Sequence, residues 1–76
     1  MTDEAHLRSL EDLAEAAYDK MYDAGSPSGA TAPYSDAKEA LRDAIALAHR
    51  LGRAEDVTRL ERRLAHIKAV FRSQFT

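Results

Sequence analysis

Cysteine, tryptophan and asparagine are absent from this chain, and there are only two prolines and three glycines. Without cysteine there can be no disulfide and no thiolate metal site. Long apolar runs are missing as well. The longest, residues 44–48, has five residues, where a membrane-spanning helix needs roughly 20, so no membrane partner is expected. The opening residues, Met1 to Arg8, are acidic and charged where a secretory leader would be basic and then apolar, which makes the cytoplasm the expected location. The 76 residues allow one domain, 1–76. A chain of this size buries only about 60% of the surface its unfolded form exposes, so the core is thin. With disulfides excluded, a partner chain is the simplest supplement.

What remains is rich in Ala, Leu, Glu and Arg, all good helix formers. Arginines outnumber lysines eight to three, a usage that suits a bacterial source. From Leu7 the apolar residues fall at Leu7, Leu10, Ala14, Ala17, Met21 and Ala24, with Leu13 and Tyr18 widening the stripe; this spacing predicts a helix over about 3–24. Thr2, Asp3 or Ser9 could cap it. Gly25 and Pro27 read as its stop, and residues 25–33 as a flexible loop. A second stripe, Tyr34, Ala37, Leu41, Ala44, Ala48 and Leu51, predicts a helix over about 35–51 with Ser35 as cap, ended by Gly52. The third, Val57, Leu60, Leu64, Ile67 and Phe71, predicts a helix over about 54–75. The fold expected is all-α: an up-down-up three-helix bundle, helices 2 and 3 forming a tight antiparallel hairpin and the alanines of helix 2 letting the outer helices approach.

Nothing along these helices composes a catalytic centre. His6, His49 and His66 lie on different helices, with no serine or threonine at a distinctive spacing from any of them. Carboxylate pairs one turn apart, such as Glu11 with Glu15 or Asp19 with Asp23, are what a solvated helix face contains. Neither His-x-x-x-His nor Glu-x-x-His occurs, and Asp3-x-x-His6 is the nearest approach to a metal pair. No enzymatic activity, cofactor or metal is therefore expected.

Charge is unevenly distributed. Residues 1–40 carry nine acidic and three basic side chains, whereas residues 41–76 carry four acidic and eight basic. Either acidic helix 1 lies beside Arg-rich helix 3 and the two neutralise each other, or Arg59, Arg62, Arg63 and Arg72 form a face for an anion or acidic partner. Residues 46–53, Ala-Leu-Ala-His-Arg-Leu-Gly-Arg, followed by Val57 and Leu60, resemble the turn of a helix-turn-helix DNA-binding unit. That resemblance implies a regulator reading bases with Arg59, Arg62 and Arg63. The apolar positions after the glycine fall one step out of phase with that family's pattern, and the chain is acidic overall, so nucleic acid is not the first expectation. Ala37-x-x-x-Leu41-x-x-Ala44 and Leu51-Gly52-Arg53 are similar to the second helix and inter-repeat turn of tetratricopeptide hairpins, which implies protein binding on a helical surface.

The function expected from the residues is a small helical protein–protein interaction module or homo-oligomeric adaptor. Its partner is a second copy, as a homodimer, or another protein. The supply of apolar residues exceeds what three thin stripes can bury, and the excess collects at Val70, Phe71, Phe75 and Tyr22, the candidate partner-binding residues.

Overall fold

A computed structural model describes residues 2–75. Its elements are α1 (Asp3–Asp23), α2 (Pro27–Arg50) and α3 (Ala54–Phe75). No strand occurs among the described residues. The helix α1 begins at the first of its possible caps: the Thr2 hydroxyl accepts the Ala5 N–H at 3.1 Å, and Asp3 and Glu4 sit at the positive end of the helix dipole.

The segment 25–33, expected as a flexible loop, is mostly helix, and only residues 24–26 link α1 to α2. Pro27 marks a start as well as a stop. Ser26 is extended, its hydroxyl accepts the Gly29 N–H at 3.2 Å, and Pro27 takes the first helical position, where its missing N–H has no bond to lose. Ser35, expected as the cap, lies inside the helix. Pro33 is also internal and denies the Gly29 carbonyl its helical donor, but Gly29 is exposed and water can take that role. What holds this early turn is Ala30: it is fully buried and, with Ala37 and Ala44, extends one face of α2 at every seventh residue.

Gly52 ends α2 as its position suggests. At φ 71° it is left-handed; its N–H bonds the His49 carbonyl at 3.1 Å and the Arg53 N–H reaches the Ala48 carbonyl at 2.9 Å. These are the paired bonds of a Schellman stop. Gly25, by contrast, has no such conformation, and Ala24 turns the chain in an extended one.

Among the described residues fourteen are buried, and half of these are alanines: Ala14, Ala17, Ala30, Ala37, Ala40, Ala44 and Ala48. Helices α1 and α2 pack most closely, as small side chains on both surfaces permit. Larger residues, Leu41, Leu60 and Ile67, fill the core toward α3. The expectation that alanine would draw the outer helices together is not met: α3 packs mainly on α2 and barely approaches the α1 backbone. The Cα envelope is correspondingly flat, 38 × 22 × 12 Å. Leu64 and Phe71, placed in the core by their stripe, are only partly buried.

Candidate interaction surfaces

The gap between α1 and α3 is bridged by long charged side chains. Arg53 at the start of α3 pairs with Glu4. One turn and a half further on, Arg59 grips Glu11 with both terminal nitrogens, at 2.5 and 3.3 Å, and touches Asp56 at 3.1 Å. Next, Arg63 makes a two-point contact with Glu15, Nε to Oε2 at 2.8 Å and Nη2 to Oε1 at 2.6 Å, while its guanidinium lies 4.7 Å over the Tyr18 ring. The partly exposed Arg59–Glu11 and Arg63–Glu15 pairs each contribute up to about 1 kcal/mol. The hydrogen bond from Arg53, and then its charge, holds the Glu4 carboxyl below the usual carboxylate range. The hydrogen bonds that Arg53, Arg59 and Arg63 donate to Glu4, Glu11 and Glu15 in turn raise the pKa of these arginines.

The four arginines of the candidate anion face therefore differ. Arg59 and Arg63 are turned onto α1, whereas Arg62 and Arg72 are exposed on α3. Arg62 lines a groove that runs beside the ion pairs, with His66 and Glu55 on its walls and Leu41 and Leu60 in its floor.

The aromatic residues fall into two groups. Phe71 stacks face to face on Tyr34 of α2, with centroids 3.9 Å apart and planes within 2°, and Phe75 continues from Phe71 at 5.5 Å. The Lys38 ammonium caps the other side of this stack, 4.2 Å from the Tyr34 centroid. Tyr22 belongs elsewhere: its ring meets Tyr18 at 6.1 Å, and Tyr18 in turn faces His66. Of the expected partner-binding residues, the structure thus unites Phe71 and Phe75, places Val70 half-buried against the core, and leaves Tyr22 in the other group, 49% exposed.

Among the described residues, the most exposed large apolar side chain is one that widens the apolar stripe of helix 1. Leu13 is 62% exposed. It stands over a groove of about 340 Å³ between α1 and α2, floored by Leu10, Ala17, Pro33 and Ala40. Along the α2 wall run Asp36, Glu39 and Asp43; Lys20 stands on the α1 side. On α1, Leu13 and the Glu-bearing row toward α3 lie on opposite sides of the line that packs on α2, as their helical positions require. This groove and the ion pairs therefore occupy different faces of the slab. The signal for it was present in the i, i+3, i+7 spacing of the three carboxylates beside Pro33 and Ala40, but acidic rows are so common on solvated helices that the spacing alone singles out nothing.

Among the described residues no group of three or more His, Asp or Glu side chains is placed to hold a metal ion, and no helix is long and apolar enough to cross a membrane. Comparison with protein-family models, curated protein sequences and solved structures finds no match to this chain.

Proposed function

We propose that this chain is a non-catalytic helical module that binds another protein through the α1–α2 groove. The observation that carries the reading is Leu13, held 62% exposed above an apolar floor. Patches of this kind on small domains serve as docking sites more often than isolated exposed side chains do. In the arrangement proposed, the helices run up, down and up, with α2 and α3 as a tight antiparallel hairpin. Support comes from the short links, residues 24–26 and 51–53, and from the ion pairs between α1 and α3, whose partners are separated by 49, 48 and 48 residues. A nearly constant offset is what two helices pointing the same way produce.

A photoreactive residue at position 13 in the full chain, expressed in its native host, tests the reading. Discrete adducts should form from position 13 and not from exposed Ala69 on α3. Identical adducts from both positions, or none from position 13, refute it.

A homodimer through the aromatic end is a second reading, favoured by Phe75, which caps the Tyr34–Phe71 stack while itself only half-buried. Sedimentation across micromolar concentrations, repeated on Phe71→Ala with Phe75→Ala, decides it; a wild-type protein that stays monomeric removes it. The nucleic-acid reading asks more of the molecule, because Arg59 and Arg63 would have to leave Glu11 and Glu15 to reach phosphate.

A further inference from the structure

We infer that the occupant of the α1–α2 groove is a basic amphipathic helix, whose apolar side chains cover Leu13 and whose Arg or Lys residues face Asp36, Glu39 and Asp43. This rests on the reading of the groove as a docking site and adds the chemistry of the partner.

Three observations lead to it. The groove lies between two helices over residues 10–20 of α1 and 33–43 of α2, a length of roughly 15 Å or three turns. That is the seat of a helix, not of a single side chain. Its polar wall is one-sided: three carboxylates on α2 against one ammonium, Lys20, on α1. Burying this wall against an uncharged or acidic partner would strip water from the carboxylates with nothing to replace it. A symmetric second copy fails on the same ground, since its own groove could offer at most one ammonium, Lys20, to each row of three carboxylates.

The third observation is internal. On the other face of the slab, α3 already does to α1 what the inferred partner would do on this one. It lays an apolar stripe mainly against α2 and reaches across to a row of glutamates on α1, Glu4, Glu11 and Glu15, with Arg53, Arg59 and Arg63. The partner helix would thus take the place opposite α3 and complete a four-helix layer.

The test uses the full chain and a synthetic helix of about 14 residues, long enough to span the groove, with leucines on one face and arginines beside them. A twin peptide carries glutamate at every arginine. Binding is read by fluorescence anisotropy in low and high salt. The arginine helix should bind at least about tenfold more tightly than its twin, and added salt should weaken it. Leu13→Ser, and separately the triple variant Asp36→Asn, Glu39→Gln and Asp43→Asn, should each weaken it by about tenfold or more. Leu13 is largely exposed, so Leu13→Ser keeps the fold, and an unchanged denaturation midpoint verifies this. If both peptides bind equally well and both lose affinity with Leu13→Ser, the groove docks helices but the inferred charge is wrong, and the docking reading survives. Binding of the arginine helix that ignores Leu13→Ser or the triple variant means attachment elsewhere and overturns the inference. It is overturned equally if neither peptide binds, while adducts at position 13 then still judge the docking reading separately.

Discussion

Leu60 and Leu64 stand on the same stripe of α3, four residues apart, and periodicity cannot separate them. The structure does: Leu60 is 1% exposed, whereas Leu64 is only partly buried. Truncating Leu60 to alanine removes three carbons, worth about 0.8 kcal/mol each by transfer, to which an unrelaxed cavity adds. The expected cost is about 2.5–4 kcal/mol. Leu64→Ala removes the same atoms from a site already in part hydrated, so its cost should be about half as large. Against a total of ~3–5 kcal/mol for a core of this size, Leu60→Ala leaves the chain close to its own unfolding midpoint at room temperature. Urea titration followed by far-ultraviolet circular dichroism reads the difference directly. With a slope near ~1 kcal/mol per molar urea, Leu60→Ala should lower the midpoint by about 2.5 M or abolish the folded baseline, and Leu64→Ala by little more than about 1 M. Equal shifts for the two variants would refute the assigned facing of α3.

Further expectations follow from the helix ends and from the charges. Gly52→Ala forces a side chain into left-handed backbone and should cost about 1–2 kcal/mol, whereas Gly25→Ala, with open space around it and no such backbone, should be neutral or slightly stabilising; both are read as denaturation midpoints, and the reverse order would contradict the two stops described. Pro33→Ala restores a donor inside α2 and should raise the midpoint and slow amide exchange over residues 27–33; a lower midpoint would show that the ring's packing outweighs the missing bond. The folded pKa of Glu4 lies below its unfolded value, so the unfolded chain takes up this proton first as pH falls. The stabilisation by Glu4 is complete above the ordinary glutamate value of about 4.3 and is lost as pH drops through the folded value. Glu4→Gln should therefore lower the midpoint at neutral pH, and the gap from wild type should close on acidification; a gap that persists in acid assigns the effect to something other than the Arg53 pair.

The periodic stripes made the helical class legible, most clearly in α3, where large apolar residues recur with charged ones between them. The uneven charge of the two halves of the chain admits two arrangements, and the structure has the one with glutamates of α1 opposite arginines of α3. The start of α2 was hidden because Ser-Pro after a glycine serves equally as the end of one helix and the cap and first residue of the next. Only the burial of Ala30 decides between these, and burial is a tertiary property. Leu13 was misplaced for a related reason. A stripe identifies a side of a helix, but its margins extend toward two neighbours, and whether a second neighbour exists on that margin depends on where α3 packs. Spacing places Tyr34 in a stripe, yet nothing in it shows that the ring meets Phe71 face to face.

Alanines form much of the contact between α1 and α2, with Leu7 and Met21 the large buried side chains of α1, and alanine surfaces resist sliding poorly. Axial position has to be indexed by something with discrete teeth. The glutamates at 4, 11 and 15 and the arginines at 53, 59 and 63 supply them. A slip of one turn in one direction sets Glu11 against Glu55 and Glu4 beyond the end of α3. In the other direction Glu15 meets Ile67 and Glu4 meets Val57. Each rung is weak, but only one setting engages all three together, so the ladder chooses the alignment of the helices even though the apolar core supplies most of the free energy that keeps them folded.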